Sequence, residues 1–158
     1  MIDLDYPRDL AGYRGEPPDP RWPGNARVAV QFALDIEEGG ENCVLHGDAA
    51  SESLLSELIG AEPRAGARHM AVESIYEYGS RAGVWRVLDL FRARDVPITL
   101  FAVAAAAVHT PWVIDRAQRD GHEIACHGLR WVDYAGVPEE VERTHIAVAA
   151  KILDRLCG

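Results

Sequence analysis

Several things are scarce in this sequence, and each scarcity excludes a class of protein. The three cysteines, Cys43, Cys126 and Cys157, are odd in number and show no CxxC spacing. This suits reduced thiols and excludes a disulfide framework or a zinc knuckle. No apolar run approaches the roughly 20 residues that span a bilayer. The stretch from Met1 to Asp9 is acidic and lacks a basic start followed by an apolar segment, so it does not read as a secretory signal. A cytoplasmic location is the default expectation. Clustered basic residues are missing too, and the formal net charge is -9. Nucleic acid and anionic membranes both demand grouped Lys and Arg, so neither is expected as a partner. The glycines Gly39, Gly40 and Gly47 lack the order and the Lys-Ser/Thr ending of a phosphate loop. What remains as partner is a small molecule, with a homo-oligomer or a complementing chain as a further expectation.

What is present is a chain of 158 residues, 48% apolar, sufficient for one domain with a buried core. Five of the nine prolines fall between Asp5 and Asn25, which predicts an irregular arm over residues 1–26 lying on a domain of residues 27–158. From Val28 the sequence reads VAVQFALDIEEGGE. Its period-two apolar positions, with alanines between them, predict a strand from Val28 to Ile36 buried on both faces. The strand runs out into Asp35, Glu37 and Glu38. Charged carboxylates in an apolar setting are disfavoured without compensation; the acids are either a site at the strand exit or a solvated turn.

Further along, Asp48 or Ser51 is expected to cap a short helix that turns Leu54, Leu55, Leu58 and Ile59 to one side and stops at Gly60. Pro63 to Arg81 has weak periodicity and is polar and aromatic, the character of a binding wall. Ser80 is expected to cap a helix with Val84, Val87, Leu88 and Phe91 on its inner face. A strand follows over Ile98–Val103, then a helix capped by Thr110 with Pro111 in its first turn and Gly121 as its stop. A short strand begins at Glu123 and ends at Cys126 or His127. Pro138 opens a last helix with Val141, His145, Val148, Ile152 and Leu156 along one stripe. Alternating strands and helices predict a parallel sheet with helical crossovers, where ligands bind at the carboxyl ends of the strands. Both polar clusters, Asp35–Glu41 and His127–Asp133, fall at that end.

His127 at a strand exit can serve as base, acid or metal ligand, or be a structural histidine bonded to a carbonyl. His122, at the beginning of that strand, is expected to be structural. Cys126 is adjacent to His127, but neighbouring strand residues face opposite ways, which argues against a thiol nucleophile. Glu142 and His145 have helical spacing, with His145 on the apolar stripe. Glu139, Glu140 and Glu142 are explained by the dipole at their helix start.

The segments LDIEEGG and GHEIACHGLRW together resemble the first two motifs of the polysaccharide deacetylase (NodB homology) superfamily. The resemblance is closer to its metal-independent allantoinase branch, and runs through YPRDLAGY, PPDPRWPG, EEGGENCVLHGDAASE and ESIYEYGSRAG. It implies an α/β fold, a distorted (β/α) barrel, and hydrolysis of carbon–nitrogen bonds other than peptide bonds. In deacetylases the first motif supplies a catalytic Asp and then a metal-binding Asp; here those positions read Glu37 and Glu38. The second motif supplies two ligand histidines four residues apart; here they read His127 and Trp131. An indole is not a metal ligand, and a catalytic zinc normally takes three protein ligands. No cofactor is therefore expected; a zinc-like ion, if present, would rest on Glu38 and His127, completed by His46 or Asp48. The resemblance implies metal-free opening of a cyclic amide, allantoin to allantoate, with Glu37 as base, His127 as proton donor or oxyanion stabiliser, and Glu38 in direct contact with substrate. Asp35, Trp131 and Tyr78 are expected to contact the substrate, the two aromatics by stacking on a planar ring. The alternatives are a metal-dependent deacetylase of N-acetylated sugars and a truncated, non-catalytic fragment. A (β/α) barrel takes about 250 residues, so three βα units are expected to be an amino-terminal portion whose open sheet favours self-association.

Overall fold

A computed structural model describes residues 7–158. The chain divides after Val30 into two units. The first six residues of the expected arm lie outside the described residues. Described by itself, the first unit is irregular over its described residues, 7–30: a 3-10 turn spans Pro23–Asn25, and the carboxylates of Asp9 and Asp19 each accept a hydrogen bond from a backbone amide two residues on. That is the conformation expected of a proline-rich stretch.

The second unit is an α/β layer of three parallel strands with helical crossovers, a partial (β/α) fold whose sheet is not closed. The strands are β1 (Ala33–Ile36), β2 (Thr99–Ala102) and β3 (Glu123–Cys126), in the order β1-β2-β3. Register is continuous, with Asp35 opposite Phe101 and Phe101 opposite Ala125. The first strand is shorter than its apolar alternation predicts. Its pairing with β2 is confined to residues 33–36, supplemented by the Thr99 amide donating to the Phe32 carbonyl at 3.0 Å. Val28 and Val30 lie outside it, 70% and 71% exposed. Nor is β1 buried on both faces. It is an outer strand, and its alternation turns Leu34 and Ile36 toward the helices while Ala33 and Asp35 stay exposed.

The five helices are α1 (Met70–Tyr78), α2 (Val84–Arg92), α3 (Ala104–His109), α4 (Pro111–Arg119) and α5 (Glu139–Cys157). Leu88, Leu100 and Ile114 are fully buried between sheet and helices. Four expectations need correction. No helix forms around Leu54–Ile59, and Ile59 is 100% exposed. Both candidate caps are engaged elsewhere: Ser51 Oγ accepts from the Arg64 amide at 2.9 Å beside an antiparallel bridge between Ala50 and Ala65, and Asp48 pairs with Arg130. The aperiodic stretch before Arg81 contains α1, whose inner face is only Val72 and Tyr76, one turn apart. Ser80 caps nothing; it lies inside a π-turn, Gly79–Gly83, that joins α1 to α2, and its hydroxyl donates to the Glu77 carbonyl. The stripe on α5 is rotated: Ala149 and Leu153 are buried while Val141 and Val148 are exposed. The opposing surface of α3 is built of alanines, so a small residue lets α5 approach closely.

Thr110 and Pro111 begin α4 as expected, although the Thr110 hydroxyl donates backward to the Ala106 carbonyl at 2.9 Å rather than capping. Between that threonine and β2 stands α3, which the sequence reading passed over. Gly121, at φ 77°, ends α4 where expected. His122 is buried, as expected, but among the described residues neither ring nitrogen has the hydrogen-bond partner that a structural histidine takes. No helix among the described residues is long and apolar enough to cross a membrane.

Candidate active site

At the carboxyl end of the sheet, Glu37 leaves β1 and His127 leaves β3. Alternation places Asp35, Glu37, Phe101, Ala125 and His127 on the sheet face away from the helices. His127 Nε2 and Glu37 Oε1 are 2.9 Å apart, with side-chain exposures of 47% and 18%. Phe101 from the middle strand meets the imidazole edge to face, centroids 5.8 Å apart. Cys126, one residue earlier, falls on the opposite side of the sheet.

Burial pushes the Glu37 carboxyl above the ordinary glutamate range; His127 opposes this, while Asp35 and Glu38 add to it. One carboxylate oxygen is therefore held by the imidazole, and the group as a whole is more basic than a free glutamate. That combination suits a general base.

Glu38 points elsewhere, as the alternation of side chains requires. Its Oε2 accepts from the Glu37 amide at 3.3 Å, and its Oε1 lies over the backbone of Gly79 in the π-turn. A Cβ at Gly79 would stand 1.7 Å from that oxygen. Burial raises the Glu38 carboxyl also. The pairing of Glu38 with His127 as metal ligands is thus not what the fold builds. His46 and Asp48 do not join it either: His46 is exposed with Nδ1 3.2 Å from the Glu41 carbonyl, and Asp48 is bound to Arg130. The donor atoms that do converge belong to Asp35, Glu37 and His127, all within 4.8 Å of one another. Two carboxylates and one imidazole match the number and kind of donors a catalytic divalent ion takes.

A cavity of about 510 Å³ opens beside these groups, lined by Asp35, Glu37, Glu38, Tyr76, Tyr78 and Trp131 together with Glu41, Leu55, Glu57, Ile75 and Gly79. Asp35, Tyr78 and Trp131, expected to contact substrate, are in its lining, and His127 is not. Their roles differ, however. Trp131 packs on the core and meets Tyr76 edge to face at 5.8 Å, while its indole nitrogen is buried without a partner among the described residues. Tyr78 is exposed and its hydroxyl accepts from Arg86.

Three contributors fell within segments the sequence marked as polar or wall-forming but had no role of their own assigned. Tyr76 is buried in the wall, donates to the Leu54 carbonyl, and has its phenol pushed up to about 12 by burial and by Glu52, Glu41 and Glu57. Glu41 supplies an oxygen to the Gly39 amide at 2.5 Å. Arg130 binds Asp48 and the Glu41 carbonyl. Arg130 is adjacent to Trp131 in the HGLRW segment, and that adjacency was the available signal. His145, expected on the apolar stripe, is half-buried with Nδ1 3.0 Å from the Tyr134 hydroxyl.

A family model described as "Polysaccharide deacetylase" matches residues 66–158. The matched segment includes His127 and Trp131 and leaves out Asp35–Glu38. A Schizosaccharomyces pombe protein assigned to the polysaccharide deacetylases is 39% identical over 150 residues, covering 94% of this chain and 47% of its own. The crystal structure of PuuE allantoinase superposes with a TM-score of 0.89 at 55% identity, over 98% of this chain and 51% of its own. A Pseudomonas aeruginosa PAO1 crystal structure assigned to the polysaccharide deacetylases superposes with the same TM-score, 0.89, at 58% identity, over 97% and 51%. This chain spans about half the length of each of these relatives.

Proposed function

The chain belongs to the polysaccharide deacetylase family, a family of hydrolases, and from that membership we propose that it contributes the Glu37–His127 half of an allantoinase-like site that opens a cyclic amide. The observation that carries this reading is the 2.9 Å contact between His127 Nε2 and Glu37 Oε1 beside the cavity. Likeness to an allantoinase structure at 55% identity supports it.

In the reaction, the free oxygen of Glu37 takes a proton from water as that water attacks a ring carbonyl. A new carbon–oxygen bond forms and charge develops on the carbonyl oxygen. His127, half-exposed and held against Glu37, stabilises that oxygen or hands a proton to the departing ring nitrogen. The carbon–nitrogen bond breaks, and the proton gained by Glu37 passes either to the departing nitrogen, where His127 has kept its own, or back to His127, where the imidazole has given its proton to that nitrogen. Asp35, Tyr78 and Trp131 hold the ring, and Glu38 shapes the cavity from the π-turn side.

A second reading is favoured by the convergence of Asp35, Glu37 and His127 and by the equally similar Pseudomonas structure. In it the three donors hold a divalent ion, which when bound supplies Lewis-acid polarisation to an N-acetyl sugar deacetylase. Allantoin and N-acetylglucosamine oligomers, each assayed with and without chelator, separate the two. Allantoin hydrolysis that survives chelation supports the first; hydrolysis of the sugar alone, abolished by chelation, overturns it.

A further inference from the structure

Glu37 and His127 belong to loops that leave the two outer strands, with β2 between them. Short range does not hold these loops together, so something across them must. Two contacts do. The Trp131 amide donates to the Gly40 carbonyl at 2.9 Å, and Gly40 in turn donates to the Glu37 carbonyl at 2.8 Å. Beside it, Arg130 Nη2 donates to the Glu41 carbonyl at 3.0 Å and to Asp48 Oδ2 at 2.5 Å, while Nη1 lies 3.3 Å from Asp48 Oδ1. Asp48 Oδ2 also accepts from the Cys43 amide at 2.8 Å. One guanidinium thus ties the loop after β3 to two points on the loop after β1. Its planar fork suits this, since it serves a carboxylate and a carbonyl at once, which an ammonium on a flexible stem does less well. Arg130 and Asp48 are each about a fifth exposed, and neither lines the cavity.

We propose that Arg130, braced by Asp48, is a positioning residue that sets Glu37 against His127. The inference rests on the reading in which those two groups perform the chemistry. Because neither Arg130 nor Asp48 touches the cavity, losing the brace displaces the reacting pair without removing a substrate contact. Misplacement on the order of 1 Å can cost about 100-fold in rate.

The test uses the full chain with R130M, R130K and D48N. It reads kcat and KM on allantoin, and hydrogen exchange at the Gly40 and Trp131 amides against an internal core amide. R130M is expected to lower kcat by about 10- to 100-fold with KM changed less than about threefold, and to speed exchange at Trp131 while core exchange stays slow. R130K, which keeps the charge and part of the bonding, is expected to recover part of kcat; D48N, nearly isosteric, to fall between. Unchanged kcat in R130M, a rise in KM alone, or unchanged exchange at Trp131 overturns the proposal. Should R130M fail to fold, D48N decides by the same readouts. Should the unsubstituted chain leave allantoin intact, the functional reading fails, yet exchange at Trp131 in the variants still decides whether Arg130 holds the loops.

Discussion

Glu37 has one oxygen tied to His127 and a carboxyl that burial makes harder to ionise. Two expectations follow at the level of single residues. Glu37→Gln keeps the shape and removes the proton acceptor, so turnover should drop by about 100-fold or more while KM moves little; steady-state kinetics of the purified variant checks this. In the proposed role a base works only when ionised, so the rate should fall as pH drops through a midpoint above the ordinary glutamate range, and a pH–rate profile locates it. Glu38 supplies a stability counterpart. Its pKa is raised by folding, the reverse of the usual carboxylate. The folded state therefore holds protons more tightly, and the cost of ionising Glu38 appears as pH rises from the unfolded value through the folded one. Glu38→Gln should accordingly raise the melting temperature at pH 7, and the gain should vanish below both values. Equal melting temperatures at pH 7 would contradict the burial argument.

Among the elements, the π-turn between α1 and α2 has a definite part in the site. A wide turn bracketed by glycines brings bare backbone against the Glu38 carboxylate, and Gly79→Ala would drive a methyl to 1.7 Å from that oxygen. The variant should fold, since α1 and α2 keep their buried faces, but with Glu38 displaced into the cavity and kcat/KM reduced; a crystal structure and kinetics together test this. Turns of this kind are frequent at functional sites. By contrast, Leu88 on α2 is pure core. Leu88→Ala should cost about 2–5 kcal/mol, read from denaturant unfolding, without altering the pH midpoint of the rate.

At the scale of the molecule, β1 and β3 are both outer strands of an open sheet. Unpaired edges beside exposed apolar side chains such as Phe32 and Ile146 favour association between chains. Sedimentation of the 158-residue chain should therefore show an average mass that rises with concentration and falls when mild denaturant or added charge on β3 is introduced. A strictly monomeric chain at high concentration would show that these edges are better protected than their exposure indicates.

Much of this molecule is legible one residue at a time. Short apolar runs place β2 and β3 nearly to the residue, and a threonine–proline start and glycine stop delimit α4, because strand propensity and helix ends follow from local backbone sterics and hydrogen bonding. The alternation of strand side chains explains why Glu37 and Glu38 diverge and why Cys126 and His127 cannot act together. Other outcomes depend on partners distant in sequence. Asp48 and Ser51 are good caps by type, yet one is claimed by Arg130 and the other by the Arg64 backbone, so the helix they would begin does not form. The first strand is short because pairing with β2 spans only four residues, three of them apolar. The sequence by itself determined the parallel α/β layer, the family likeness and the identity of the acid and imidazole at the strand ends. Tertiary structure alone decided that Glu37, rather than Glu38, meets His127, because only the packing of two strand exits across a third brings those side chains within bonding distance.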